Sequence, residues 1–342
     1  MTRMKQWRVS VGRGIVVFLL LTTLAGVLYE QVGRQRAARE YPPPGQLVDI
    51  GGRRLHMDCR GSGSPTVVFE SGLDINGSLS WSLVHPQIAG MTRACAYSRA
   101  GILWSDPHDA PQNGISVAED LHTALTKSGE HGPFVLVGHS LGGSYIMTYT
   151  KYFGGDVAGV VFVDASHPDQ VQRFKALNAP ESSVHTYLFK VGVALNWTGI
   201  VRAVAPLYGQ LPHQPIHDDR IVKAYASTSL GPMMKEQDSL EQTFAEAGTF
   251  REVGDRPLVV LTAMKPFPPE DLAELEWPED QARQAQHAWE QMHDEETRWS
   301  SDGRHQVVPD ANHYIQFDRP DIVIAAVKSV VESVRTKSKI GH

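Results

Sequence analysis

The residues most able to do chemistry are Gly138-His139-Ser140-Leu141-Gly142, a G-x-S-x-G pentapeptide. The hydrophobic run Phe134-Val135-Leu136-Val137 precedes it, and the helix-prone stretch Gly143-Ser144-Tyr145-Ile146-Met147 follows it. A strand, a sharp turn and a helix are the context in which such a serine becomes a nucleophile, its hydroxyl held out on a strained turn. Gly138 and Gly142 leave room for strand and helix to approach closely. A helix N-terminus beneath the serine favours developing negative charge. The plain alternative is a glycine-rich turn carrying an incidental serine.

A serine hydroxyl needs a base. Among 15 histidines, His313 is the leading candidate: it follows the last apolar run, lies in Asp310-Ala311-Asn312-His313-Tyr314, and precedes a final helix. His305 opens that last run and is expected to point elsewhere. His139 adjoins the serine, but the turn directs it away, as a structural or pocket-wall residue. An acid must orient the base. Asp164, ending Val160-Val161-Phe162-Val163, sits where open α/β sheets place their sites. Glu270 and Asp271, in the loop after the next strand, are the alternatives. Two N–H donors are needed for an oxyanion: Leu141, after the serine, and Leu73, in the loop Glu70-Ser71-Gly72-Leu73-Asp74.

These loops require a sheet to hold them. Strands are expected at 47–50, 54–59, 66–70, 93–97, 134–138, 159–164, 257–262 and 305–308. Continuous apolar runs among them suit strands buried on both faces, and their alternation with helical stretches predicts an α/β fold with a mostly parallel eight-stranded sheet. About 90 residues separate the sixth and seventh strands. That is too long for a simple loop, so residues 168–256 are read as an inserted helical cap. A shorter polar excursion at 265–298 offers Trp289, Met292 and His293 as inward residues.

The chain has 342 residues, 42% hydrophobic and 20% charged, with net charge −6, which excludes a disordered chain and gives no basic footprint for nucleic acid. Mean hydropathy is −0.25. That average hides an uncharged run at 14–29, flanked by Arg3, Lys5, Arg8 and Arg13. A bilayer span takes about 20 apolar residues, so the run is short for one, and a cleaved signal peptide competes. The reading adopted is a basic tail at 1–13, a signal anchor at 14–30, a proline-rich linker at 31–46 that separates it from the rest, and a catalytic unit at 47–335. The basic tail would stay cytoplasmic, although Arg34, Arg36 and Arg39 oppose that orientation.

From about residue 45 to 335 the sequence resembles the α/β-hydrolase superfamily, and within it the exported or membrane-anchored serine hydrolases of proline-iminopeptidase-like or carboxylesterase-like type. The matching stretches are Val48-Asp49-Ile50-Gly51-Gly52-Arg53-Arg54-Leu55-His56, Pro65-Thr66-Val67-Val68-Phe69-Glu70-Ser71-Gly72, Tyr97-Ser98-Arg99-Ala100-Gly101, the pentapeptide, and Asn312-His313-Tyr314-Ile315-Gln316. The superfamily's frequent His-Gly stands here as Ser71-Gly72, and its Tyr-Asp-Arg as Tyr97-Ser98-Arg99. The first change alters the pocket lining; the second puts local geometry in doubt. A serine at 140 argues against epoxide hydrolases and haloalkane dehalogenases, whose nucleophile is an aspartate.

The resemblance implies ester hydrolysis through an acyl-enzyme, without metal or organic cofactor, on a small-molecule or lipid-like ester. Amide or peptide hydrolysis, lactone opening and acyl transfer are the alternatives on the same residues, and a non-catalytic binding protein is the remaining one. Glu236, Asp238 and Glu241 in the cap would suit the amine anchor of an aminopeptidase, or a solvated helix face. The superfamily's strand order sets the second and fourth strands side by side, which pairs Cys59 with Cys95 either as a bridge or as two buried thiols. The sequence specifies no oligomeric state.

Overall fold

The computed structural model describes residues 2–177, 183–274 and 277–340, without the side chains of 2–11, 183–186, 271 and 274. Eight strands form one sheet: β1 (Gln46–Asp49), β2 (Arg54–Arg60), β3 (Thr66–Glu70), β4 (Ala94–Ser98), β5 (Phe134–His139), β6 (Val157–Val163), β7 (Leu258–Ala263) and β8 (Gly303–Val308). Their order is β1-β2-β4-β3-β5-β6-β7-β8. β1 and β2 run antiparallel to their neighbours; the strands from β4 to β8 are parallel. The expected α/β fold is the one observed, and each strand lies within about two residues of its expected place.

Helices α1 (Thr2–Glu40), α2 (His85–Ala89), α3 (Gly114–Lys127) and α4 (Leu141–Phe153) precede the cap. The cap is built from α5 (Gln170–Ala176), α6 (Ser183–Ala194), α7 (Ile200–Val204), α8 (Ile216–Asp238) and α9 (Leu240–Ala247). α10 (Pro269–Glu274), α11 (Glu279–Thr297), α12 (Ile315–Asp318) and α13 (Pro320–Ile340) complete the chain.

The apolar strand runs explain the layers. Alternate side chains face opposite ways, so Val135, Val137, Val161 and Val163 pack with Val323, Val327 and Val330 of α13. Leu136, Val160 and Phe162 pack on the other face with Leu121 of α3 and Ile146 of α4. Both faces exclude water, so the strand ends are held firmly. Cys59 and Cys95 are register partners on β2 and β4 and are joined as a disulfide.

The N-terminal region departs from expectation. The linker read at 31–46 is not one extended segment, because α1 continues to Glu40. Gln, Arg and Ala favour a helix there, and the pairs Arg34–Glu30 and Arg36–Glu40, each 2.7 Å, add i,i+4 support. Pro42 then stops it, since the residue before a proline avoids the helical region. Nor does the remaining stretch separate α1 from the domain. The Tyr41 carbonyl accepts from Trp104 Nε1 at 2.8 Å and the Tyr225 hydroxyl at 3.0 Å, and Pro44 O lies 2.6 Å from His56 Nε2. Among the described residues one helix is long and apolar enough to cross a membrane, over Gly12–Glu40.

Candidate active site

Ser140 links β5 to α4 with φ 52° and ψ −127°, a conformation L-residues rarely adopt. Its carbonyl accepts from Gly143 N at 2.9 Å and Ser166 N at 2.8 Å, so the strained turn is pinned from two sides. Only glycine fits opposite. A Cβ on Gly72 would lie 2.9 Å from Ser140 Cβ, and one on Gly142 would lie 2.6 Å from Glu70 O.

The structure brings Ser140, His313 and Asp164 together across 173 residues of chain. Ser140 Oγ is 2.9 Å from His313 Nε2, and His313 Nδ1 is 2.6 Å from Asp164 Oδ2. A proton on Nδ1 is donated to the carboxylate, which leaves Nε2 free to accept from the serine hydroxyl. His313 is 44% exposed, Asp164 only 4%. Burial alone would raise the Asp164 carboxyl. The hydrogen bond and charge of His313, the charge of His293 and the Trp289 N–H outweigh it and hold the group below its ordinary range.

Asp164 is fixed as tightly as the serine. It too has positive φ, 47°. Its Oδ1 accepts from Ala263 N at 2.9 Å and from Trp289 Nε1 at 2.8 Å. Trp289 and His293 do face inward as expected, but the grip of Trp289 on Asp164 had no sequence signal beyond that orientation. His293 is fully buried, bound to Thr262 Oγ1 and Ala165 O. The alternative acid Glu270 is an exposed residue of α10, and the side chain of Asp271 lies outside the described residues. His305 is held by Asp294 and Thr262, away from the serine. His139 is buried, with Nε2 donating to the His313 carbonyl at 2.9 Å and its ring 4.7 Å from that of His313. Burial, then the neighbouring His313 charge, lowers its pKa to about 3, so it stays neutral and supports the loop.

The oxyanion-loop candidates follow from the backbone. Leu141 opens α4, where N–H groups have no intrahelical acceptor. The Gly72 carbonyl accepts from Arg99 Nη2 at 2.6 Å. In a trans peptide the C=O and the following N–H point in opposite directions, so the Leu73 N–H is turned away from Arg99. Arg99, 2% exposed, also donates to Ser71 O, Glu70 and Glu236. Burial pushes Glu70 up to about 7 and Glu236 upward, against the pull of the guanidinium. The sequence around Arg99 carries no signal of this role, and nothing local points to Glu236, which lies 137 positions away. Where the superfamily has Asp, Ser98 instead meets Ser78 N and Ser78 Oγ.

Glu236 cannot serve as an amine anchor, because Arg99 consumes it. Asp238 is exposed and paired with Lys190 at 2.9 Å, and Glu241 is exposed. A cavity of about 540 Å³ lies between the site and the cap, lined by Leu73 and Tyr314 on one side and by Phe189, Val201, Leu230 and Met233 on the other. Ser140, His313 and Asp164 are a hydrogen-bonded set of hydroxyl, imidazole and buried carboxylate, and a mostly apolar cavity adjoins their loops. That set can carry an acyl group on oxygen.

Residues 34–326 match the sequence profile of the alpha/beta hydrolase family. A probable transporter from Hormonema carpetanum is 26% identical over 336 residues, covering 86% of this chain and 44% of that protein. The chain spans half or less of the length of the curated relatives it matches first. Among solved structures, a thermophilic esterase from Thermogutta terrifontis superposes with a TM-score of 0.55 at 16% identity, over 85% of this chain and 98% of that one. An epoxide hydrolase from Bacillus megaterium gives 0.59 at 16%, over 84% and 100%. At these identities the likeness is one of fold, while the profile match covers most of the sequence: the chain belongs to the alpha/beta hydrolase family.

Proposed function

We propose that the chain is a serine hydrolase of carboxylic esters acting through an acyl-enzyme on Ser140. The observation that carries this reading is the unbroken path from Ser140 Oγ to His313 to Asp164, at 2.9 Å and 2.6 Å. His313 Nε2 takes the hydroxyl proton as Oγ attacks the ester carbon. The N–H groups of Leu73 and Leu141 receive the developing oxyanion. As the intermediate collapses, His313 returns the proton to the leaving alkoxide. Water then loses a proton to His313, attacks the acyl carbon, and releases the acid and free Ser140. Asp164 holds the ring and balances its charge throughout.

The apolar chamber supports an ester with a hydrophobic acyl part. Lactone opening, amide hydrolysis and acyl transfer use the same three residues. Arg99 takes up Glu236, the buried candidate for the amine anchor that an aminopeptidase would need, which argues against that one alternative. In this reading residues 14–30 stay as a membrane anchor, with the hydrolase on the extracytoplasmic side; release after signal cleavage is the alternative. The exposed apolar sides of α1 and the disulfide, which suits an oxidising compartment, support it. Alkaline extraction of membranes and protease protection test the anchor and its side.

A fluorophosphonate probe tests the chemistry. It is expected to label the wild-type chain at Ser140 and to leave a folded Ser140→Ala variant unlabelled. Equal labelling of both, or none in folded wild type, sinks the reading.

A further inference from the structure

We propose that the cap rests in the outer leaflet of the membrane and takes its ester substrate from the lipid. The proposal rests on the hydrolase and anchor readings above, and it follows from how α1 meets the cap.

Among the described side chains of α1 ahead of Gly26, Ile15, Phe18, Leu20, Leu21 and Leu24 are 55–65% exposed. From Gly26 onward the helix is clamped. A Cβ on Gly26 would collide with Thr198 O, and one on Gly199 would lie 2.8 Å from Gly26 O. One turn later Glu30, 1% exposed, accepts from Arg202 Nε at 2.9 Å and from Ser227 Oγ at 2.8 Å. The cap residues around 198–202 therefore sit at a fixed height on α1, at the end of its apolar run.

The uncharged part of that helix, residues 14–29, is shorter than the hydrocarbon core. Sixteen residues at about 1.5 Å each reach roughly 24 Å, while the hydrocarbon core is about 30 Å thick. The cap supplies the missing band at the same height. Leu188 and Val191 on α6 and Leu195 just past its end follow each other at helical spacing, 59%, 37% and 44% exposed. Trp197 and Ile200, 55% and 45% exposed, flank the very residues that contact Gly26. Tryptophan at a membrane–water boundary is the residue type most suited to that position. An apolar apron joined to a spanning helix fits a lipid leaflet, and leaflet lipid is its occupant here.

The same two helices wall the chamber. Phe189 neighbours Leu188 on α6, and Val201 neighbours Ile200 on α7. Their outward residues meet lipid while their inward ones line the path that ends at Leu73 and Tyr314. The substrate class is thus an ester with a long acyl chain that partitions into the bilayer.

The test uses the full chain reconstituted in phosphatidylcholine vesicles. A variant carrying Leu195→Ser, Trp197→Ser and Ile200→Ser is compared with wild type on p-nitrophenyl acetate and on a long-chain ester embedded in the vesicles. The expected result is acetate turnover within about twofold and vesicle-ester turnover reduced tenfold or more. Equal turnover of the embedded ester overturns the proposal. A second arm places an environment-sensitive fluorophore at Trp197→Cys, with Glu241→Cys on the exposed face of α9 as control. A blue-shifted, lipid-quenchable signal at 197 alone supports the proposal. Water-like emission at both positions, or shielding at 197 that grows with protein density as a second copy would cause, overturns it. Failure of the underlying readings is distinct: a wild-type chain that alkali strips from the vesicles fails the anchor, and one inert on acetate fails the hydrolase.

Discussion

The loops at the C-terminal ends of β5, β6 and β8 differ from the cap in what fixes them. In the loops, backbone does the work. Ser140 and Asp164 both hold positive φ, both are pinned by main-chain hydrogen bonds, and the strands beneath are buried on both faces. In the cap, short helices expose apolar side chains, up to 82% at Leu207, and a few ion pairs tie them down. Arg99–Glu236 ties the cap to the loop after β3, and Glu30–Arg202 ties it to α1. The contrast separates two modes of support. The site loops are set by turns that few sequences make, and the cap is held by a few ion pairs beneath an exposed apolar surface.

Three perturbations break or sharpen this contrast. Arg99→Met strikes the joint between the regions and should have the largest effect. It leaves Glu70 and Glu236 buried without their cation, and removing one partner of a buried pair costs about 3–5 kcal/mol. Thermal melting of the full chain in detergent reads the loss. If the variant does not fold, Glu236→Gln cuts only the cap's side of the joint; it should melt earlier than wild type but later than the arginine change, and keep short-ester turnover. No change in either variant would mean the two regions are not joined there.

Trp289→Phe is next. It keeps the ring and removes one donor from Asp164 Oδ1. A hydrogen bond to a charged group contributes about 1.5–3 kcal/mol, so kcat should fall roughly tenfold to a hundredfold with KM for a short ester unchanged. A rise in KM with kcat intact would place Trp289 in substrate binding instead of positioning.

The mildest probe is pH. Burial lowers His56 to about 4, His139 to about 3 and His167 to about 4, and all three belong to the sheet region. The unfolded chain takes up these protons near pH 6.5, so stability is complete above that value and falls as pH drops toward 4. Each histidine contributes a slope of up to about 1.4 kcal/mol per pH unit. His56→Gln should flatten the acid-side decline of the melting temperature. An unaltered profile would show that these histidines do not govern it.

What was legible in the sequence tracks the same division. Ser140 was readable because a nucleophile on a tight turn requires glycines at fixed offsets. The strands were readable because two-sided burial leaves unbroken Val and Leu runs. The position of Asp164 at a strand end marks it in the sequence, but only the sheet, which sets Asp164 against His313, separates it from Glu270. Trp289 meets Asp164, and Arg99 meets Glu236, across more than a hundred residues, and no local pattern records such a meeting. The continuation of α1 through residues 31–40 was missed for a different reason. The prolines at 42–44 mark a linker in the sequence, but nothing local shows that Glu30 is buried against the cap and that Arg34 braces it from the same helix.

The most direct measurement is the mass of the chain caught during turnover. A slowly deacylated p-nitrophenyl ester, quenched within the first turnover and digested, should leave its acyl group on the peptide that contains Ser140, with a matching burst of nitrophenol. Nitrophenol released without any adduct on Ser140, or an adduct on a carboxylate, would contradict a serine acyl-enzyme.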